Sequence, residues 1–256
     1  MNFKGSYIAV LGGSGLLGSS IVKQLIEYDA KPIIIDIDIE RAEALKNSIL
    51  EEGGKAEFYP ADLTQIQDLP SLINSIIDKF GDISGWVLSS YPRTDDWADK
   101  LESVKPHSWN MNVEMQMNAT CLCAAEIARN MANKNGGSIV TIGSIYGAVA
   151  PNFEIYEGTD MTTPAAYAAI KGGISTFTKY LSSYYGSKNV RVNNVVAGGI
   201  FDNQDQIFLD RYSSLTSLNR LAHPKEVAEA VIFLLSSSSS YITGIDLPVD
   251  GGYLSK

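Results

Sequence analysis

The chain has 256 residues, 45% of them hydrophobic, with 22 Gly, 9 Pro and only two Cys. A chain of this length buries enough surface to fold without disulfides or metal, and 19% charged residues exclude a disordered polymer. The net charge of −9, with no Lys/Arg run, argues against a nucleic-acid binder.

Short apolar runs alternate with amphipathic ones along the whole chain. Strands are predicted at Tyr7–Leu11, Pro32–Asp36, Ala56–Tyr59, Gly85–Ser89, Ser138–Gly143, Arg191–Val196 and Asp246–Val249. Helices are predicted at Gly15–Tyr28, Glu40–Glu52, Leu69–Phe80, His107–Asn133, Pro164–Tyr185 and Pro224–Ser236. Strands that are apolar throughout belong to a sheet buried on both faces. The alternation predicts a single-domain α/β fold, a Rossmann-type doubly wound parallel sheet of about seven strands spanning 1–256. Ligands then bind at the C-terminal edge of the sheet. The first apolar run is short and lacks a cleavage site, and no run reaches the ~20 residues of a membrane span. The sequence therefore reads as cytoplasmic, with neither membrane nor nucleic acid as partner.

The first strand runs into Leu11-Gly12-Gly13-Ser14-Gly15-Leu16-Leu17-Gly18, which opens a helix. Glycines there permit a tight turn and bring backbone close to a pyrophosphate at the helix N-terminus. Asp36 ends the second strand, where a carboxylate accepts hydrogen bonds from ribose hydroxyls and repels a 2′-phosphate. Ile37 follows it, and Arg41 is the nearest cation that could clamp a phosphate. NAD is thus expected ahead of NADP. Asp38 reads as the cap of the next helix.

Tyr167 and Lys171 are four apart on a predicted helix and share a face. An ammonium beside a phenol stabilises the phenolate and is expected to lower the Tyr167 pKa, so that the phenol can exchange a proton with a substrate oxygen. Ser144 closes the Ser138–Gly143 strand and so falls at the ligand-binding edge. The two His, His107 and His223, are far apart in sequence, and without Cys-x-x-Cys they supply no metal site. Cys121 and Cys123 read as small buried hydrophobes.

Together these motifs resemble the short-chain dehydrogenase/reductase family, single-domain subtype, over essentially the full chain. Asp62-Leu63, Asn118, Arg191-Val192-Asn193, Ile242-Thr243-Gly244 and Val249-Asp250-Gly251-Gly252 extend the match. The resemblance implies that Ser144 holds the substrate oxygen, that Tyr167 exchanges its proton, and that Lys171 binds the nicotinamide ribose. It implies that Asn118 supports a water relay and that Asp62 and Leu63 line the adenine pocket. Gly12, Ser14, Gly15, Leu16, Leu17, Gly18, Asp36, Ile37, Ser89, Ser90, Gly198 and Ile200 complete the expected cofactor contacts.

Three features depart from the family pattern. The usual Asn-Asn-Ala-Gly reads Leu88-Ser89-Ser90-Tyr91, followed by Pro92, and the usual Pro-Gly reads Ala197-Gly198. Ser144 and Tyr167 lie 23 positions apart, about twice the common interval, through an insert at Pro151–Thr163. The insert and Tyr91-Pro92 resemble a branch named flagellin modification protein A, in bacterial sugar and polysaccharide biosynthesis. The insert carries Glu154, Glu157 and Asp160 with neutral Asn152, Tyr156, Thr159, Thr162 and Thr163, a wall suited to sugar hydroxyls. Any substrate phosphate is expected elsewhere, at Arg93 or Arg211. Gly199–Leu221 reads as a lid or an irregular excursion. The expected function is an oxidoreductase interconverting hydroxyl and ketone on a polar small molecule such as a sugar. The alternative is a dinucleotide-binding scaffold without turnover. The apolar residues spread around Met111–Met131 suggest a helix buried on several sides, and the resemblance implies a homo-oligomer, dimer or tetramer.

Overall fold

Seven strands form one parallel sheet: β1 (Tyr7–Leu11), β2 (Lys31–Asp36), β3 (Glu57–Pro60), β4 (Ile83–Leu88), β5 (Gly137–Ser144), β6 (Val190–Ala197) and β7 (Asp246–Val249). Their spatial order is β3-β2-β1-β4-β5-β6-β7 in this computed structural model, which describes residues 1–256. The order reverses direction between β1 and β4, the switch point where such sheets bind ligands. Parallel register sets Leu11 beside both Ile35 and Leu88, Leu88 beside Thr141, and Ser144 beside Ala197. The glycine turn, Asp36, Ser89 and Ser144 therefore share one edge.

Alternate residues of each strand serve different layers. Ala9, Leu11, Ile33 and Ile35 pack under α3 (Leu69–Phe80), α5 (Ala119–Ala132) and α6 (Ala165–Tyr185). Ile8, Val10 and Ile34 face α1 (Leu16–Glu27), α2 (Ile39–Glu51) and α8 (Pro224–Leu235). Each fully buried aliphatic side chain contributes on the order of 1.5–3 kcal/mol. No helix is long and apolar enough to cross a membrane.

The strand and helix predictions agree with these elements to within a few residues, except in two places. The single helix predicted at His107–Asn133 is interrupted. It consists of α4 (Pro106–Asn112), a π-helical turn at Val113–Asn118, and then α5. Widened turns of this kind concentrate at functional sites, and this one ends on Asn118. The 199–221 stretch contains a ten-residue helix, α7 (Gln206–Leu215), whose Phe208 and Tyr212 are buried against Ile145 and Tyr146. It is a packed element over the end of β5, not an irregular excursion.

Candidate active site

The glycine turn is shaped by close packing. Gly12 has φ of +71°, and a Cβ there would lie 2.6 Å from the Ser90 Cα. A Cβ on Gly18 would collide with the Gly12 carbonyl. Gly15 differs: its Cβ would meet only the Gly12 oxygen, at 3.4 Å, an ordinary contact. No side chain caps α1 at Gly15. The fold therefore requires glycine at 12 and 18, while the small residue at 15 leaves uncapped helix N–H groups open to an anion. These features fit a dinucleotide pyrophosphate, with Ser14, Leu16 and Leu17 on the same turn.

Asp36 accepts the Ser14 N–H at 2.9 Å and the Asp38 N–H at 3.1 Å, one on each carboxylate oxygen. Each oxygen keeps a lone pair for a ribose hydroxyl. Ile37 beside it is exposed. Asp38 caps α2 as expected, accepting from the Arg41 N–H at 3.0 Å, and its carboxylate lies 4.0 Å from the Arg41 guanidinium. Asp62 accepts from Thr64 and Gln65. Burial pushes its carboxyl up, but these hydrogen bonds outweigh that and hold it below the usual range. Leu63, Leu88, Ser90 and Met115 line a small apolar recess. Ser89 ties β4 to β1, its hydroxyl donating to the Leu11 carbonyl at 2.7 Å and its N–H at 3.0 Å. Gly198 packs against Asp250, and Ile200 pairs with Ala222.

Ser144 and Tyr167 converge despite the 23 positions between them. Ser144 is buried, and its oxygen accepts the Tyr146 N–H at 3.2 Å. Burial raises the Tyr167 pKa; the Ser144 hydroxyl opposes the rise and the Tyr156 phenol adds to it. This corrects the sequence expectation of a lowered value. The physical reason is burial of the phenol, which the Lys171 ammonium does not offset, its hydrogen bond running to the Ile142 carbonyl at 2.8 Å and not to the phenol. The ammonium lies 5.6 Å from the Tyr167 ring centroid and is itself pushed down to about 8 by burial. Asn118 stands at the end of the π-helical turn, which packs across α6.

The insert folds back beside this site. Phe153–Tyr156 forms a short 3₁₀ turn, and Tyr156 stacks on Phe208 of α7 at 5.5 Å. The Tyr156 hydroxyl meets Thr163 Oγ1 at 2.7 Å. Arg211 donates to the carbonyls of Glu154 and Glu157. Arg211, expected as a phosphate anchor, is thus engaged in holding the insert. Between the insert, Lys100–Glu102 and the start of α6 lies a cavity of about 590 Å³, with Tyr156, Thr163 and Ala168 in its walls.

Sequence reasoning reads Trp97 as core or pocket wall but misses that Tyr91 joins it against Tyr167. Tyr91 and Trp97 stand edge-on to Tyr167 with centroids at 6.0 and 6.3 Å. The only hint was a bulky residue where the family pattern has glycine. Tyr146 and Tyr253 form a second aromatic contact nearby, 6.5 Å apart, without any local sequence signal.

A family profile described as "Enoyl-(Acyl carrier protein) reductase" matches residues 14–254. The post-translational flagellin modification protein A of Campylobacter coli is 30% identical over 250 residues, covering 96% of this chain and 97% of that one. A short-chain dehydrogenase from Leptospira borgpetersenii, solved with bound NAD+, superposes with a TM-score of 0.83 at 29% identity, covering 98% and 94%. A gluconate 5-dehydrogenase from Burkholderia cenocepacia, solved with NADP and tartrate, has the same fold at 23% identity (TM-score 0.88, covering 100% and 97%). With the glycine turn, the parallel sheet and the Ser144–Tyr167 convergence, these matches identify the chain as a member of the short-chain dehydrogenase/reductase family, NAD(P)-using oxidoreductases that act on hydroxyl and ketone groups.

Proposed function

We propose that the protein is an NAD(H)-dependent oxidoreductase that interconverts a hydroxyl and a ketone on a sugar or sugar derivative, in bacterial polysaccharide or flagellin glycan biosynthesis. The observation that carries the reading is the meeting of Ser144 and Tyr167 at the sheet edge, beside a cavity walled by hydroxyl-bearing residues of the insert. Gly12, Ser14, Gly15 and Asp36 would hold the dinucleotide, which when bound supplies a hydride acceptor or donor. Ser144 would orient the substrate oxygen. In reduction the Tyr167 phenol gives its proton to the ketone oxygen; in oxidation Tyr167 first passes its own proton towards solvent, and the phenolate then takes the carbinol O–H proton. Lys171 then needs to leave the Ile142 carbonyl for the ribose, and Asn118 supports proton exchange with solvent.

Asp36 supports NAD over NADP, since a 2′-phosphate beside it would face like charge. A homo-oligomer is part of the same reading. Tyr180 and Tyr184 stack along the outer face of α6 at 6.0 Å, both more than half exposed, and Leu122 of α5 is exposed as well. Such a patch suits a second copy. A 27.7 kDa monomer in light scattering at micromolar concentration would remove that part. The activity is tested by incubating the protein with NAD+ and a panel of hexoses, sugar phosphates, sugar nucleotides and gluconate, read at 340 nm. Absorbance growth that disappears in Tyr167→Phe supports the reading; no turnover with any member rejects the substrate class.

A further inference from the structure

Tyr91 occupies a turn where the family resemblance has glycine, yet its ring is built into the site. The Trp97 indole N–H donates to its hydroxyl at 2.8 Å. Its ring stands edge-on to Tyr167, and the Lys171 ammonium lies 5.6 Å from its centroid. Trp97 is buried and packs against Ala166, Ile170 and Ile174 of the catalytic helix. Tyr91 itself is 41% exposed, so one side of the ring meets water while the other meets the reactive pair. A half-exposed loop tyrosine adds little to the core; its placement matters for what it covers.

We propose that Tyr91 is a positioning residue for proton transfer: its ring keeps water off the Tyr167 phenol and the Lys171 ammonium. The inference rests on the oxidoreductase reading above. The groups facing the pair are Ser144 from β5, Tyr156 from the insert, the Ile142 carbonyl, and Tyr91 itself, with the Arg93 guanidinium 5.6 Å from the Tyr91 ring. Burial is the leading cause of both the raised phenol and the depressed ammonium. Truncating the ring admits water, which favours both charged forms. The Lys171 pKa then rises and the Tyr167 pKa falls. A π-face also stabilises a cation, which works the other way for Lys171, but that contribution is smaller than the desolvation of a buried ammonium.

The test has two arms. In the first, protein carrying [ε-13C]lysine is titrated by NMR, with the Lys171 signal assigned from Lys171→Arg. In the second, kcat/KM for NAD+-dependent oxidation is followed against pH, using whichever of cyclohexanol, cis-1,2-cyclohexanediol and gluconate the wild type turns over best. Tyr91→Ala is expected to raise the Lys171 pKa by about one unit and to move the acid limb of the profile down by a similar amount, tenfold in the proton equilibrium. Tyr91→Phe, which keeps the ring, titrates as wild type. Tyr91→Leu serves if the alanine variant fails to fold by circular dichroism. A Lys171 titration that does not rise, an acid limb that stays in place, or a phenylalanine variant that shifts as far as alanine overturns the proposal. A wild type that oxidises none of the three probes counts against the oxidoreductase reading alone, and the NMR arm still decides the role of Tyr91.

Discussion

The Lys171 ammonium donates to the Ile142 carbonyl at 2.8 Å and leaves the Tyr167 phenol, one helical turn away, to other neighbours. Helical spacing places the two side chains on one face, but the buried ammonium takes the nearest fixed acceptor. Release of that bond accompanies engagement of the ribose in the proposed mechanism.

Lys171 costs stability at neutral pH. Its folded pKa is about 8 against an ordinary 10.5, so the unfolded chain binds the proton more tightly. The cost is full below pH 8 and fades as pH rises from 8 towards 10.5, where both states become neutral. Lys171→Met is therefore expected to stabilise the protein by roughly 2 kcal/mol at pH 7, once a lost hydrogen bond of about 1 kcal/mol is set against the relief. Activity is lost in the same variant. Thermal melts at pH 7 and pH 10 check the sign, since the gain should shrink at the higher pH.

Cofactor choice turns on Asp36. NADH is expected to bind at least ten times more tightly than NADPH, about 1.4 kcal/mol. Asp36→Ala should narrow that gap. It should also loosen the glycine turn, because the same carboxylate holds the Ser14 N–H. Fluorescence titration with both dinucleotides measures the preference, and equal affinities in the wild type would contradict it.

Gly15 and Gly18 should respond differently to the same substitution. Gly18→Ala drives a methyl into the Gly12 carbonyl and should lower the melting temperature. Gly15→Ala meets only an ordinary contact and should melt near wild type. Its methyl instead narrows the approach to the helix N-terminus, so NADH affinity is expected to fall about tenfold. Differential scanning fluorimetry with and without NADH separates the two effects.

The insert is held within its own chain, by Arg211 on its backbone and by Tyr156 on Phe208. Deleting Phe153–Asp160 should abolish turnover of the identified substrate while NADH affinity and assembly size stay unchanged. Arg211→Ala should raise KM about tenfold, ~1.4 kcal/mol of ground-state binding, with a smaller change in kcat. Loss of the oligomer on deletion, or unchanged kinetics, would point to a purely packing role.

The alternation of apolar runs and amphipathic stretches determined the parallel sheet by itself, because right-handed crossovers and burial on both faces leave few other arrangements. Position at a strand end was enough to bring Asp36 and Ser144 to the ligand edge, and a four-residue helical spacing was enough to pair Tyr167 with Lys171 in direction. Periodicity within one segment carries no information about distances between segments. Hence the break at Asn118 looked like continuous helix, since apolar residues on several sides of Met111–Met131 hide the shift of phase that a π turn brings. Helix α7 was obscured by its aromatic and polar mixture, which makes sense only against Ile145 and Tyr146. The tertiary structure alone decided that Lys171 bonds Ile142, that burial raises the Tyr167 pKa, and that Tyr91 and Trp97 wall the pair. Each depends on separate stretches of chain meeting within a few ångströms, where desolvation outweighs the charge effect expected from neighbouring residues on one helix.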